Sequence, residues 1–519
     1  MSGTHFDTLI VGAGSAGAVL AARLSEDRGR SVGLIEAGPD YTRLEELPTR
    51  VRGFERGLRL YAGARVASHE WQYTARASAL HLDMPVPRGR VIGGSSSING
   101  TVFLRALRQD LDNWAAAGNS EWSFEGCLPY FRKLETDCDF ADNDLHGASG
   151  PIPVCRAADD DWLPPSQAFF NACTDLGHAH CPDMNLPDAR GVGPIPTNYH
   201  DGLRHSSAVG YLMPIRPRSN LDIMCEMLVT RVCLSDGRAT GVEVVADDRI
   251  EVISADEVIL SAGAIASPHL LMLSGIGPAD ELKTLGITPL LDLPGVGQHL
   301  LDHPFVMTVW NTSEAVSTFP APGVPWQLQV RTTAPSSDVR DDGWLTMIMS
   351  TTRDGDDGRG FTIPSSLMYE KSQGTLRLRC TDPSAPPLID FNYLAEESDL
   401  VRLRELFHLA LEIGRHRAFD GLRTGLRYPS ADNLASDSAT DEWIARTIST
   451  GHHASCTCRM GPSSDRLAVV DQRGGVYGVE GLRVVDASIL PDCPSVNLNA
   501  TVMMLAEKLS DTLRGSHGE

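Results

Sequence analysis

The 519-residue chain has no C-x-x-C pair, and its eleven cysteines are an odd number scattered between 127 and 493. That pattern excludes a disulfide-rich secreted scaffold, and the cysteines read as free thiols of a reducing cytoplasm. Basic residues are short against acidic ones, 45 to 67, and the resulting net charge of −22 repels nucleic-acid phosphates and anionic lipid. Neither nucleic acid nor a membrane surface is an expected partner. The longest apolar stretch, Val258 to Gly277, is broken by Ser261, Ser267, Pro268, His269 and Ser274; it reads as strand, turn and helix in a core, not as a membrane span. The chain passes from Met1 through His5 and Asp7 into an apolar strand with no basic segment or small-residue cleavage site, so no export signal is expected. Repeats and low-complexity tracts are absent as well.

What is present is globular and loop-rich: 42% hydrophobic residues with 48 glycines and 32 prolines. At about 150 residues per domain the length allows three and a half units, or two large interleaved ones. Phe6 to Val11, the glycine-rich Gly12 to Gly17, the helical spacing of Ala18 to Leu24 and the run Ser31 to Ile35 make a β-α-β unit. Helical spacing returns near Asp110 to Trp114. Strand patterns follow at Leu221 to Val232, Gly241 to Val245 and Glu257 to Leu260. Between about 306 and 440, Trp344 to Met349 and the alternation at Leu376 and Leu378 suggest an antiparallel sheet, with polar loops at Asp338 to Gly343 and Arg353 to Gly360. A strand at Leu482 to Val485 and a helix at Thr501 to Leu513 close the chain. The order suggests a nucleotide-binding domain built from separate segments, interrupted by a domain that shapes a substrate site.

Gly12-Ala13-Gly14-Ser15-Ala16-Gly17 is G-x-G-x-x-G between a strand and a helix, and Glu36 ends the next strand 19 residues on. Glycines there permit a tight turn and close approach of a pyrophosphate to the helix start, while Glu36 accepts hydrogen bonds from a ribose. This motif alone does not choose FAD over NAD; Glu36-Ala37-Gly38 favours FAD. A second glycine-rich tract, Gly89-Arg90-Val91-Ile92-Gly93-Gly94-Ser95-Ser96-Ser97-Ile98-Asn99-Gly100, has the small residues that let backbone lie against a flat ring system.

That tract resembles the first signature of the glucose-methanol-choline (GMC) oxidoreductases. Ser261 to Gly277 resembles the second signature, and Gly295-Val296-Gly297-Gln298-His299-Leu300 is similar to the family's following turn, with His299 where Asn is usual. Gly451-His452-His453-Ala454-Ser455-Cys456-Thr457-Cys458-Arg459-Met460-Gly461 and Leu482 to Ser488 resemble the C-terminal blocks. The resemblance runs from about residue 6 to 513 and is strongest to choline dehydrogenase-like and hydroxymethylfurfural oxidase-like members.

The resemblance implies an α/β fold: a Rossmann-like FAD-binding domain from 1–155, 218–305 and 441–519, and an inserted α+β substrate domain on an antiparallel sheet from 156–217 and 306–440. It implies FAD-dependent oxidation of a primary alcohol or aldehyde hydrate, with oxygen or another electron acceptor. His453 is the implied base and Asn499 its partner, with Asn497 as the rival. An imidazole titrating near neutrality suits removal of the hydroxyl proton while the α-carbon gives up hydride. Implied cofactor contacts are Gly12, Gly14, Ser15, Ala16, Gly17, Glu36, Ala37, Trp71, Arg90, Gly93, Ser96, Asn99, Gly100, Thr101, Val102, Val232, Asp486, Ala487, Asn499, Ala500 and Thr501. Val232 reads equally well as a buried strand valine and Trp71 as core. The tract Thr375 to Asp390 resembles a strand and turn of the family's substrate domain.

His452, His453, Cys456 and Cys458 invite a zinc reading. Neighbouring side chains on an extended segment point in opposite directions, and the resemblance already accounts for the block, so no metal is expected. Some family members attach FAD through a His just before the Asn of the first signature; Ile98 occupies that position, which implies a noncovalent flavin. A lyase on the same fold with a structural flavin is the alternative function.

Overall fold

The computed structural model describes residues 5–53, 69–247, 249–313, 316, 324–349 and 360–515. Two seven-stranded sheets organise them. The first has a parallel half: Leu221–Met224, Val32–Ile35, His5–Val11, Arg249–Leu260 and Leu482–Val484 lie side by side and point the same way. Arg238–Ala246 and Leu228–Ser235 then extend it antiparallel. The apolar run at its centre is what a strand covered on both faces requires, and Leu9, Ile10, Val258 and Ile259 are all buried. Helices Ser15–Leu24 and Leu498–Gly515 pack together beside it.

In the second sheet every pairing is antiparallel, in the order Arg423–Tyr428, Pro304–Thr312, Phe361–Leu367, Gly343–Ile348, Trp326–Thr332, Gly191–Pro194. Ser449–Thr450, expected in a cofactor-binding segment, pairs with the Pro304 strand of this sheet instead. Helix Glu397–Arg415 packs against it with Leu403, Leu406, Phe407 and Ala410 buried. Thr375–Arg377 and Leu388–Asp390 pair only with each other, in a small separate sheet. The expected loop at Arg353 to Gly360 lies outside the described residues except for its last position.

The β-α-β start is observed as His5–Val11, Ser15–Leu24 and Val32–Ile35. Val258 to Gly277 resolves into the end of a strand and the helix Gly263–Leu273. Among the described residues no helix is long and apolar enough to cross a membrane.

The reading of all eleven cysteines as free thiols needs correction, because Cys138 and Cys155 form a disulfide. Strands Glu135–Asp137 and Ile152–Val154 run parallel, and the amide of Cys138 donates to Val154 O at 2.8 Å. The two residues just past the strand ends therefore stand abreast, with Cα atoms 5.0 Å apart, within the span a disulfide bridges.

Candidate active site

The parallel strands end in loops that meet. Ser261 N donates to Val11 O at 2.7 Å, holding the loop after Leu260 against the loop after Val11. Gly12 has φ +99, and a Cβ there would stand 2.6 Å from Ser261 O. A Cβ on Gly17 would reach 1.9 Å from Gly12 O, so the third glycine of the motif lets the helix close onto the strand. Above them opens a cavity of about 660 Å³ at the carboxyl ends of the parallel strands, the usual ligand position in such sheets.

One end of the cavity is a phosphate and nucleoside cradle in its chemistry. Gly12, Gly14, Ser15, Ala16, Glu36 and Ala37 line it. Glu36 accepts hydrogen bonds from Ala13 N at 3.0 Å and Gly38 N at 2.9 Å, and burial pushes its carboxyl up to about 7. Arg90 lies over the Trp71 ring at 5.1 Å, and Trp71 stacks on Tyr73. Ser96, Asn99, Gly100, Thr101 and Val102 continue the wall toward Asp486, Ala487 and Asn499. Asn99 Oδ1 accepts from Thr101 N at 3.0 Å and supports Thr101 at φ 60, an unusual conformation for a β-branched residue. Asp486 accepts from Gly263 N at 2.8 Å and Ser267 Oγ at 2.5 Å, tying the second loop to the C-terminal block.

Five expected cofactor contacts lie outside this wall. Val232 gives its amide to Ser274 Oγ at 2.8 Å, and Val229, three residues earlier, lines the cavity with Met227 and Leu228. Val229 and not Val232, the position implied by the resemblance, is the valine of this strand on the cavity wall. Gly93, at φ 83, forms the turn that presents Gly94. Gly17 closes the helix, and Ala500 and Thr501 are buried in the final helix behind the wall.

The other end carries His453 and the side chains around it. His453 is buried, and its Nε2 accepts a hydrogen bond from Asn497 Nδ2 at 2.9 Å. Asn499 does not reach it. Its Oδ1 accepts instead from Ser15 Oγ at 2.8 Å, on the glycine-loop side of the cavity. The expected pair His453 and Asn499 is thus corrected to His453 and Asn497. Asn497 ends the chain's approach to the helix Leu498–Gly515 and Asn499 sits in its first turn, so the two side chains leave in different directions. His453 Nδ1 contacts His303 Nδ1 at 2.9 Å, and the His453 amide donates to Asp302 Oδ1 at 2.6 Å. Burial, then the neighbouring His303, His452 and Arg88, hold the His453 imidazole well below its ordinary range, so it is neutral. His303 and Asp302 were not anticipated, because they stand 150 residues away with no motif of their own.

Facing the pair is one side of the antiparallel sheet. Trp344, Thr346 and Ile348 alternate along one strand and point the same way, joined by Phe305, Trp326 and Ser366. A Cβ on Gly100 would meet the Trp326 ring at 2.9 Å, so the flavin-signature tract touches this wall directly.

Comparison with known proteins fits this geometry. The GMC oxidoreductase family matches over residues 6–305 and again over 370–506. The chain belongs to the GMC oxidoreductases. An oxygen-dependent choline dehydrogenase of Burkholderia pseudomallei is 37% identical across 99% of this chain and 94% of that one. Pyridoxine 4-oxidase from Mesorbium loti superposes with a TM-score of 0.90 at 29% identity, covering 98% and 99% of the two chains. A formate oxidase from Aspergillus oryzae, whose structure addresses FAD modification, has a TM-score of 0.90 at 25% identity over 100% and 99%.

As a GMC oxidoreductase, the chain is an FAD-dependent enzyme acting on CH–OH donors, and the lyase alternative is not supported. Its residues fit that cofactor. The glycine contacts leave the loop faces open toward the cavity, and two buried polar atoms, Asn499 Nδ2 and Asn497 Oδ1, lack protein partners at its two ends. The residue at the family's unusual turn position also has a physical account: His299 adopts φ 57, the left-handed region that Asn enters most readily among side-chain-bearing residues.

Proposed function

We propose that this enzyme oxidises a primary alcohol, or an aldehyde hydrate, that carries a flat apolar or aromatic body. The observation behind the reading is the placement of the neutral His453 and Asn497 at the end of a cavity whose other end holds the glycine loops. Bound FAD supplies the acceptor for the hydride leaving the α-carbon. Nε2 of His453 takes the hydroxyl proton once the substrate hydroxyl replaces Asn497 Nδ2 on its lone pair, and an unprotonated imidazole buried away from water is suited to that step. Asn497 fixes the substrate oxygen by hydrogen bonding and leaves the proton to His453. The indoles of Trp326 and Trp344 with Phe305 and Ile348 give the substrate body an apolar seat, and Thr346 and Ser366 add hydroxyls to it.

FAD would be held without a covalent bond, since Ile98 offers no nucleophile. Glu36 would meet the ribose, Gly12 to Ala16 and Asn499 the pyrophosphate, Val229 the adenine, and Thr101, Val102 and Ala487 the ring system. The parallel-sheet segments serve the cofactor in this reading and the antiparallel sheet serves the substrate. A cytoplasmic location is supported by the acidic charge and by nine free cysteines, and the Cys138–Cys155 disulfide counts against it.

The test is anaerobic addition of benzylic, aliphatic and quaternary-ammonium alcohols to the yellow enzyme. Benzylic alcohols should bleach the flavin fastest. Bleaching by choline alone would remove the aromatic assignment, and no bleaching by any alcohol would remove the reaction itself.

A further inference from the structure

We infer that His303 is a positioning residue that fixes the tautomer of His453, and the inference rests on the proposed role of His453 as base. The contact between His303 Nδ1 and His453 Nδ1, at 2.9 Å with ring planes 69° apart, joins two groups that are each either donor or acceptor. One of the two nitrogens must carry the proton. Which one decides whether the other nitrogen of His453, facing the substrate, has a lone pair to offer.

The surroundings of the two rings make the choice. The backbone carbonyls of Pro494 and Met368 favour a proton on the His303 ring, against the burial that disfavours one. Its Nε2 stands 3.3 Å from Cys493 Sγ, whose lone pairs serve it as acceptor when the thiol hydrogen turns to the carbonyl of His453 at 3.9 Å. The amide nitrogen of Asn497 only donates, so Nε2 of His453 is bare, the neutral His453 ring carries its proton on Nδ1, and His303 carries its own on Nε2 toward Cys493. Nδ1 of His303 is then bare and accepts from Nδ1–H of His453, whose Nε2 is bare in turn and accepts from Asn497. The bonds run in one direction from Asn497 through both imidazoles to Cys493. Reversing them would turn an N–H of His453 toward the substrate, where it removes no proton.

The second ring also explains what Asp302 does not do. Its carboxylate takes the backbone amide of His453 together with the hydroxyls of Tyr393 and Thr450, so it fixes the main chain and leaves the imidazole to His303. A neutral acceptor sets the tautomer without the pull of a carboxylate. Burial keeps both rings uncharged, with Arg331 facing His303 and His452 and Arg88 facing His453. His303 is well placed for this task because it immediately precedes the strand Pro304–Thr312, and its carbonyl accepts from Gly451 N at 2.7 Å, two residues before His453.

The experiment uses the holoenzyme and two substitutions. His303→Leu removes the acceptor, while His303→Asn restores an oxygen near the position of Nδ1. Flavin reduction should slow by roughly 100-fold or more in His303→Leu with FAD retained, and His303→Asn should recover at least about tenfold of that loss. Independently of turnover, selective ¹⁵N-histidine labelling should show His453 as the neutral Nδ1–H form in the unsubstituted enzyme and lose that signature in His303→Leu. If His303→Leu reduces as fast as the parent, if His303→Asn is as slow as His303→Leu with FAD in place, or if His453 carries its proton on Nε2, the assignment is wrong. Should His303→Leu not fold, the labelled parent and His303→Asn still decide. A slow His453→Ala beside a fast His303→Leu overturns this inference alone, whereas a fast His453→Ala overturns the base itself.

Discussion

A Cβ built on Gly94 would stand 2.7 Å from Cα of Gly14, so the two glycine-rich tracts, 80 residues apart, touch backbone to backbone. Their contact forms a corner of the cofactor cavity. The two glycines nevertheless answer to different constraints. Gly94 has φ 53 and no room, whereas a Cβ on Gly14 meets nothing in the protein closer than Gly94 Cα at 3.9 Å. Gly14→Val should therefore fold and melt near the parent's apo-protein temperature but purify largely without flavin, since its side chain competes with the pyrophosphate and not with the chain. Gly94→Ala should lose both stability and flavin. Flavin absorbance per protein, read beside a melting curve, separates the two cases; full FAD content in Gly14→Val would falsify the phosphate assignment of this loop.

The correction at Asn497 gives a second expectation. His453→Ala should keep FAD yet slow its anaerobic reduction by roughly 100- to 10,000-fold, the contribution of a placed general base. Asn497→Ala should slow it by about 2- to 12-fold, the value of one hydrogen bond of about 0.5–1.5 kcal/mol. Asn499→Ala should leave the reduction rate alone and weaken FAD retention, because its oxygen is bonded to Ser15 on the cofactor side. A stopped-flow comparison that found Asn499→Ala slower than Asn497→Ala would restore the original pairing.

How much of this was legible in the sequence depends on how local the signal is. Gly12 to Gly17 and Glu36 could be read because strand, turn, helix and strand follow one another directly, and the structure keeps them in that order. The Asn497 and Asn499 choice was not readable from spacing: two residues at a helix entrance differ by about 200° in direction, so one faces His453 and the other Ser15. Nothing in the sequence separates Val229 from Val232 on the same strand, and the Cys138–Cys155 bond depends on a short parallel strand pair with no cysteine spacing to announce it. His303 depends on sheet topology, since the Pro304 and Ser449 strands must pair before the two imidazoles can meet.

The titration of His453 yields a third expectation. Burial is the largest influence on the ring, followed by His303, His452 and Arg88, and each holds the imidazole below its ordinary 6.5. Asn497 and the thiol of Cys493 are its uncharged neighbours, and Asp302 meets only its amide. A base works unprotonated, so a lowered pKa moves its loss of function to lower pH. The rate of flavin reduction should stay level as the pH falls through 6.5, the ordinary imidazole value, and decline only well below it. An acid limb centred at or above 6.5 in a pH series of single-turnover reduction would contradict the buried, neutral His453.

The flavin linkage is the remaining test. Ile98 lies on the cavity wall at the position from which a histidine would attach the ring, and its side chain has no atom able to form that bond. Three histidines, His269, His452 and His453, also line the cavity, so the absence of a nucleophile at 98 does not settle the matter alone. His453 has both ring nitrogens engaged, with His303 and with Asn497, and alkylating either would break the bonds that orient it. His452 sits at φ 66 with its amide held by Thr450 Oγ1 at 2.8 Å, and burial brings its ring down to about 3. That ring is a neutral imidazole at neutral pH and competes for the attachment, as does His269, whose ring burial brings down to about 4. Acid precipitation should therefore leave yellow FAD in the supernatant over a colourless pellet. A yellow pellet would mean covalent attachment, and repeating the precipitation on His452→Ala would show whether His452 is the residue that forms it.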